Sequence, residues 1–217
     1  MKKIDAVVFD MDGVIFDSER LVLDCWDFLA KKHSIPNIEN TIRACIGTNK
    51  TKTKAIMKEI YGDQFPYDEY AKEASTLFHE RYDGGRLPMK QGVLELLSFL
   101  KENDIKIALA TSTRREVAIE ELKNAGVLGF FDKVVCGDMV ERSKPAPDIF
   151  IKACDELGVA CENAYVIEDS YNGIIAGHAA GLHLIMVPDL LPPTDEMRAM
   201  ADVILGNLLD VVDYFTE

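Results

Sequence analysis

The stretch Ile4-Asp5-Ala6-Val7-Val8-Phe9-Asp10-Met11-Asp12-Gly13 decides the fold class of this chain. Its first half is apolar and β-branched, as expected for a short buried strand, and two aspartates follow where that strand should end. Residues 105–110 form a second run of this kind, which is followed by Thr111. Polar residues at the carboxyl ends of strands are typical of an open parallel sheet, which binds its ligands beyond those ends.

Three further strands are predicted over residues 133–136, 164–167 and 184–187. Between the strands, apolar residues recur at helical spacing over residues 93–100, 117–122 and 149–157. Strands that alternate with amphipathic helices build βαβ units around a buried parallel sheet. We therefore predict an α/β fold with a Rossmann-like, doubly wound parallel sheet.

Residues 18–85 break this alternation, because their apolar residues recur only at helical spacing. One such face contains Leu21, Val22, Cys25, Trp26 and Leu29, and another contains Tyr67, Tyr70, Ala71, Ala74, Phe78 and Tyr82. Ser18 is the predicted N-cap of the first helix, and Asp83-Gly84-Gly85 marks the end of the last one. We predict a helical domain of residues 18–85, inserted into an α/β core domain of residues 1–17 and 86–217.

The charge balance limits the possible partners of this chain of 217 residues. Its 24 Lys and Arg stand against 37 Asp and Glu, so the formal net charge is −13. Nucleic acid and anionic membrane surfaces would be repelled, and we expect neither as a partner. A phosphorylated small molecule would meet the same repulsion unless a metal ion or local cations reversed it.

The cysteines and the apolar segments indicate a cytoplasmic protein. The five cysteines are odd in number and lack the spacing of metal ligands, so we expect them to be reduced. The apolar part of the amino terminus is broken by Asp5 and Asp10, which is unlike a signal peptide. Residues 170–188 carry no charged side chain and are long enough to span a bilayer, but they divide at Gly181 into a helix pattern and a strand pattern.

Four polar motifs follow four successive predicted strands. They are Asp10-Met11-Asp12, Thr111-Ser112-Thr113, Ser143-Lys144-Pro145 and Glu168-Asp169-Ser170. Carboxylates at one rim would hold a hard cation of the Mg²⁺ type, and the lysine and hydroxyls would neutralise a phosphoryl group. Taken singly, each motif also fits a solvated loop, a helix cap or a surface lysine. Their occurrence at four strand ends favours a site.

The four motifs resemble those of the haloacid dehalogenase-like (HAD-like) hydrolases, in the same order and over nearly the whole chain. The first motif extends through Val14-Ile15-Phe16-Asp17, the third through Ala146-Pro147-Asp148, and the fourth through Tyr171-Asn172-Gly173-Ile174. The helical domain resembles the cap of the branch that contains β-phosphoglucomutase and many sugar-phosphate phosphatases. The resemblance implies an enzyme acting on a small phosphate ester.

The resemblance also implies a role for each matched residue. Asp10 would be the nucleophile that forms an aspartyl-phosphate, and Asp12 would be the general acid and base. Thr111 and Lys144 would bind the phosphoryl oxygens. Dehalogenases resemble the family elsewhere but carry tyrosine at the position of Asp12, and phosphonate hydrolases carry alanine, so Asp12 favours phosphate esters.

The same resemblance implies an Mg²⁺ site and further substrate contacts. The ligands would be the Asp10 carboxylate, the Asp12 backbone carbonyl and Asp169, with Glu168 either a ligand or a neighbour of the ligands. Ser112, Asp17 and Lys50 would contact the substrate, and Lys50 ends the loop Gly47-Thr48-Asn49-Lys50. An exposed lysine without a role in binding is an equally good interpretation of Lys50.

Two alternatives to a phosphatase follow from the same residues. A phosphomutase would pass the phosphoryl group to a second sugar hydroxyl, but Val22 stands where the β-phosphoglucomutase pattern has a histidine. A non-catalytic module would be expected to have lost Asp10 or Asp12, and both are present. Neither the substrate nor the oligomeric state follows from the sequence, although a monomer is compatible with it.

Overall fold

The computed structural model describes residues 4–46 and 50–217, which form two compact units. One unit contains the described residues up to Asp17 together with Pro88–Glu217, and the other is Ser18–Leu87. The first unit resumes at Pro88 rather than at the predicted Arg86. The reason is a local pairing, since the Asp17 N–H donates to the Pro88 carbonyl at 3.0 Å and Phe16 forms an antiparallel bridge with Met89.

The strands of the first unit are β1 (Ala6–Phe9), β2 (Lys106–Thr111), β3 (Lys133–Cys136), β4 (Ala164–Glu168), β5 (His183–Met186) and β6 (Val203–Ile204). The helices of the described residues are α1 (Ser18–His33), α2 (Ile38–Cys45), α3 (Lys50–Tyr61), α4 (Tyr67–Tyr82), α5 (Val93–Glu102), α6 (Arg115–Asn124), α7 (Asp148–Leu157), α8 (Tyr171–Ala180), α9 (Asp195–Met200) and α10 (Leu208–Thr216). Short 3₁₀ turns occur at Leu128–Phe130, Gly137–Met139 and Cys161–Asn163.

The six strands form one parallel sheet in the order β3-β2-β1-β4-β5-β6, which confirms the predicted fold class. The strand order reverses direction at β1, which lies between β2 and β4. All residues of β1 and β4 are buried, as expected for strands that helices cover on both faces. One face packs on α7 and α8 through residues such as Val8, Val166 and Phe150.

The opposite face of the sheet packs on α5, which in turn contacts α10. Tyr165 of β4 meets Phe215 of α10 edge-on, with ring centroids 5.2 Å apart. Val166, one residue further along β4, belongs to the α7 and α8 face, as the alternation of a strand requires. The strand β6 was not predicted, because its two half-buried residues are too few to form a periodic pattern.

The second unit is helical, as its spacing predicts, and has a core of its own. Trp26 of α1 stacks on Tyr67 of α4 with ring centroids 6.4 Å apart, and Leu29 and Met57 are fully buried beside them. Val22, which the spacing assigns to this face, is 39% exposed. Its position is at the edge of the apolar stripe of α1.

Residues 170–188 form α8 and β5 instead of one long helix. Over residues 4–46 and 50–217, no helix combines the length and the apolar character that crossing a membrane requires.

Candidate functional site

The candidate site lies at the carboxyl ends of β2, β1 and β4, which are neighbours in the sheet. Thr111 is the last residue of β2, Asp10 follows β1, and Glu168 is the last residue of β4. The register pairs Phe9 with Leu109 and with Ile167, so the three ends lie level. The parallel sheet thus brings residues that are far apart in the sequence to one rim.

The centre of the site is the ammonium group of Lys144. Its Nζ donates to Asp10 Oδ1 at 2.5 Å, to Glu168 Oε1 at 2.6 Å and to the carbonyl of Ala110 at 3.1 Å. The Lys144 side chain is only 8% exposed, and its Nζ lies 4.8 Å from the centre of the Phe150 ring. A buried lysine with this many fixed partners has one position, beside the carboxylate of Asp10.

The buried charges of this cluster shift one another's proton affinities. The pKa of Asp10 is raised to about 7, mainly by burial; Lys144 opposes this shift, and the carboxylates of Glu168 and Asp12 add to it. Burial lowers the pKa of Lys144, but the carboxylates of Asp10 and Glu168 outweigh that effect and hold this pKa above its ordinary value. Lys144 therefore keeps its proton at neutral pH.

The carboxylate of Asp12 is held by a neighbouring threonine. Thr113 Oγ1 donates to Asp12 Oδ2 at 2.8 Å, which connects the loop after β2 to the loop after β1. The sequence indicated a cluster of hydroxyls here but gave no role to Thr113. Its position two residues after the strand end is the only signal in the sequence for this contact.

The other two hydroxyl residues of the loop have different surroundings. Thr111 is fully buried, and its Oγ1 accepts a hydrogen bond from the Thr113 N–H at 3.0 Å. Ser112 is exposed. The structure thus places Thr111 beneath the loop, where its hydroxyl fixes the backbone that carries Thr113.

Three carboxylates at the rim lie close enough to share a cation. Oxygens of Asp10, Glu168 and Asp169 are within 4.8 Å of one another, and all three residues are buried. Carboxylate oxygens are the ligands that Mg²⁺ prefers. Asp169 presses against Gly13, where an added Cβ would lie 2.3 Å from Asp169 Oδ2, so only glycine leaves room for this carboxylate. The φ of Gly13 is +83°, which also favours glycine.

Glu168 is saturated by contacts within the protein. Oε1 accepts from Lys144, and Oε2 accepts from the N–H groups of Asp169 and Ser170 and from Ser170 Oγ at 2.9–3.1 Å. Gly173 provides the space, because a Cβ there would lie 1.8 Å from Glu168 Cδ. These contacts favour a supporting place for Glu168 over direct ligation.

Asp17 lies in the wall of a pocket of about 300 Å³ within the first unit. Lys90 also lines this pocket, and its Nζ is 3.9 Å from Asp17 Oδ1 and 2.5 Å from Asp189 Oδ1. The sequence does not single out Lys90 or Asp189, since neither belongs to one of the four strand-end motifs.

Lys50, the remaining predicted substrate contact, is the exposed first residue of α3 in the helical unit. The other members of its loop, Gly47-Thr48-Asn49, lie outside the described residues. The contact of Lys50 with a substrate stays a prediction.

Comparisons with known proteins agree on one family. The family model for haloacid dehalogenase-like hydrolase matches residues 7–187. The chain is 33% identical over 186 residues to a phosphorylated carbohydrates phosphatase from Thermotoga maritima, a match that covers 84% of each chain. It is 29% identical to a "Probable pseudouridine-5'-phosphatase" from Drosophila melanogaster, covering 97% of this chain and 92% of that protein.

A solved structure gives the same result. The crystal structure named "putative beta-phosphoglucomutase" from Thermotoga maritima matches with a TM-score of 0.79 and 29% sequence identity. The match covers 98% of this chain and 99% of the other chain.

Proposed function

This chain belongs to the haloacid dehalogenase-like hydrolases and is a phosphatase, and we propose that it hydrolyses a sugar or polyol phosphate through an aspartyl-phosphate on Asp10. The observation that carries the proposal is the buried Lys144 ammonium at 2.5 Å from Asp10. A fixed cation beside the carboxylate is what an incoming phosphoryl dianion requires in a chain of net charge −13. The substrate class is supported by the carbohydrate phosphatase from Thermotoga maritima.

In the first step, the Asp10 carboxylate attacks phosphorus in line with the leaving oxygen. A bond forms between Asp10 and phosphorus, the ester P–O bond breaks, and the leaving alkoxide takes a proton from Asp12. The hydrogen bond from Thr113 orients Asp12 for this transfer. Asp12 is left as a carboxylate.

In the second step, water attacks the phosphorus of the aspartyl-phosphate and gives a proton to Asp12. The bond between phosphorus and Asp10 breaks, which releases inorganic phosphate and restores both aspartates. Lys144 and Thr111 bind the phosphoryl oxygens in both steps. Lys144 contributes its ammonium group beside Asp10, and Thr111 contributes the hydroxyl that also accepts from the Thr113 N–H. Positioning and charge stabilisation account for most of the catalysis of such transfers.

The cation is proposed to be Mg²⁺, held by Asp10, Asp169 and the backbone carbonyl of Asp12. When bound, it supplies positive charge to the phosphoryl oxygens. The buried carboxylates within 4.8 Å of one another fit this ion. We propose that the helical unit Ser18–Leu87 is a cap domain, from which Lys50 contacts the substrate. A cytoplasmic location remains a prediction.

A phosphate-release screen tests the function. Sugar phosphates, polyol phosphates and nucleotides are incubated with the enzyme and Mg²⁺, with the Asp10→Asn variant as the control for contaminating activity. We expect the highest kcat/KM with a sugar or polyol phosphate. A preference for nucleotides, or equal release by wild type and Asp10→Asn, would contradict the proposal.

The covalent intermediate needs a separate test. The enzyme is mixed with excess substrate and Mg²⁺ and quenched with acid, and its peptides are analysed by mass spectrometry. One added phosphoryl group on the peptide that contains Asp10 is expected. Turnover without any such adduct at times shorter than one catalytic cycle would favour direct attack by water.

The second candidate is a phosphomutase, which the named β-phosphoglucomutase structure favours. A mutase must protect its aspartyl-phosphate from water while a sugar intermediate reorients. Phosphorus NMR with β-glucose 1-phosphate, Mg²⁺ and the 1,6-bisphosphate distinguishes the two activities. We expect inorganic phosphate as the main product, because Val22 replaces the histidine of the mutase pattern. Faster accumulation of glucose 6-phosphate would identify a mutase.

A further inference from the structure

A fourth carboxylate, that of Asp189, lies next to the proposed metal ligands. Asp189 follows β5, which is the neighbour of β4, and the Val187 N–H donates to the Glu168 carbonyl at 2.8 Å. This bond brings the loop after β5 to the rim of the site. A carboxylate oxygen of Asp189 lies within 4.8 Å of one of Asp169.

The Asp189 carboxylate has one oxygen paired and one oxygen unpaired. Its side chain is only 7% exposed, and Oδ1 accepts from Lys90 Nζ at 2.5 Å. Oδ2 is buried and has no hydrogen-bond partner in the part of the chain that the structure describes. A buried carboxylate oxygen without a partner is costly, so such an atom points to a group that binds there.

The backbone of Lys90 is held independently of Asp189. Its backbone N–H donates to the Ile15 carbonyl at 2.8 Å, within the pairing of the two segments that connect the units. Its side chain is 23% exposed and lies 3.9 Å from Asp17 Oδ1. Lys90 thus holds Asp189 by one oxygen and leaves the second oxygen available for another partner.

We propose that Asp189 is a positioning residue for the metal, whose carboxylate attracts the cation and accepts hydrogen bonds from its hydration shell. The proposal rests on the proposed Mg²⁺ site at Asp10 and Asp169. Mg²⁺ keeps several of its waters in protein sites, and these waters need acceptors. Groups that surround the ligands commonly change metal affinity by ~10–100-fold.

Calorimetric titration of the metal-free protein with Mg²⁺, at pH 8 and without substrate, tests this role. We expect Asp189→Asn to weaken Mg²⁺ binding ~10-fold or more. Lys90→Met should bind Mg²⁺ at least as tightly as the wild type, because it removes a positive charge and leaves the carboxylate. Asp213→Asn, on the exposed side of α10, makes the same change in net charge and should have no effect.

The two variants are expected to change Mg²⁺ affinity differently: Asp189→Asn lowers it and Lys90→Met does not. This difference separates the proposed role from a purely structural one. If the Lys90–Asp189 pair only stabilised the fold, both single variants would weaken binding together, and this result would overturn the proposal. Unchanged affinity in Asp189→Asn would also overturn it. If Asp169→Asn binds Mg²⁺ like the wild type, the proposed metal site itself is wrong, which is a distinguishable result.

A double variant covers the case in which Asp189→Asn does not fold because it leaves Lys90 without its partner. Lys90→Met with Asp189→Asn removes both charges together. The double variant should bind Mg²⁺ ~10-fold or more weakly than Lys90→Met alone. Equal affinities of these two variants would contradict the proposal.

Discussion

At the scale of single residues, the site places charges where they cost stability. Asp10 is buried, and its negative charge is paired with the ammonium group of Lys144. The same ammonium group also pairs with Glu168. Burying a charged group that is not fully paired destabilises a fold, and functional sites accept this cost. Asp10 and Lys144 are therefore expected to trade stability for reactivity.

The first prediction concerns the activity of Asp10→Asn. An amide is a poor nucleophile and a weaker metal ligand than a carboxylate, so turnover should fall at least ~10⁴-fold, to the background of the assay. Steady-state phosphate release with the best substrate measures this, and circular dichroism confirms that the variant is folded. Activity of folded Asp10→Asn within tenfold of the wild type would exclude a covalent role for Asp10.

The second prediction concerns the stability of the same variant in EDTA. The pKa of Asp10 is about 7 in the folded protein against 3.8 in the unfolded chain. Between these values the folded state binds more protons, so this group's contribution to stability falls as pH rises from about 4 to 7. The amide of Asp10→Asn does not ionise, so the variant does not lose stability over this pH interval. Its free energy of unfolding at pH 8 should be ~1–3 kcal/mol higher than that of the wild type.

Urea denaturation of both proteins at pH 5 and pH 8 measures the difference in the free energy of unfolding. The advantage of Asp10→Asn should be larger at pH 8 than at pH 5. If the two proteins differ in free energy of unfolding by the same amount at pH 5 and at pH 8, Asp10 does not titrate between these pH values.

The third prediction concerns Thr113, whose hydroxyl orients Asp12. Thr113→Val keeps the shape of the side chain and removes its hydrogen bond to Asp12. We expect kcat for an alkyl phosphate to fall ~10-fold, which is less than the loss expected if general acid catalysis were removed entirely. p-Nitrophenyl phosphate needs less protonation of its leaving group and should be affected less. Thr113→Ser, which keeps the hydroxyl, is the control. Equal losses for both substrates would contradict the proposed role.

At the scale of secondary-structure elements, α8 connects the sheet to the site. Ser170 caps the helix by accepting from the Gly173 N–H, and its own hydroxyl donates to Glu168. One turn later, Gly177 lies on the sheet, where an added Cβ would be 2.6 Å from Leu184 and 2.8 Å from Val166. The close approach of α8 to β4 and β5 thus fixes the residues that hold Glu168.

The fourth prediction tests this packing. Gly177→Ala should reduce the free energy of unfolding by ~1–3 kcal/mol, because the added methyl group overpacks the contact between helix and sheet. Gly129→Ala is a suitable control, since a Cβ there meets nothing within 4 Å. Chemical denaturation measures both variants. A Gly177→Ala protein as stable as the wild type would show that the helix can shift without cost.

At the scale of the whole molecule, the negative charge of the chain and the anionic substrate oppose each other. The net charge is −13, and the carboxylates of the rim add a local negative field. This rim contains the buried Lys144 and the half-buried Lys90. Both lysines are already paired with carboxylates. The proposed Mg²⁺ would add positive charge for phosphate binding at this rim.

The fifth prediction is that activity depends on Mg²⁺. Enzyme freed of metal with EDTA should lose at least ~99% of its activity and regain it with excess Mg²⁺, because a repelled dianion binds poorly. Ca²⁺ should compete without restoring activity, since its longer bonds and higher coordination number disturb the in-line geometry. Phosphate release in each condition measures this. Full activity in the metal-free enzyme would exclude the proposed cofactor.

The sequence by itself determined the fold class and the residues of the candidate site. Strand periodicity and the polar motifs that follow the strands are local properties, so they indicate Asp10, Lys144 and Asp169 as candidates, and the family resemblance implies their roles. Thr113 and Glu168 are recognisable as members of motifs, but their contacts are not. The short strand β6 escapes prediction because two residues carry no periodic signal.

Tertiary structure decided how these residues interact. Lys144 lies 134 positions after Asp10, and only the order of the strands brings them within 2.5 Å. The pairing of Lys90 with Asp189 spans 99 positions and has no sequence motif, because it depends on the packing of a connecting segment against the loop after β5. Periodicity reports local burial, whereas contacts between distant side chains depend on the register and packing of the complete sheet.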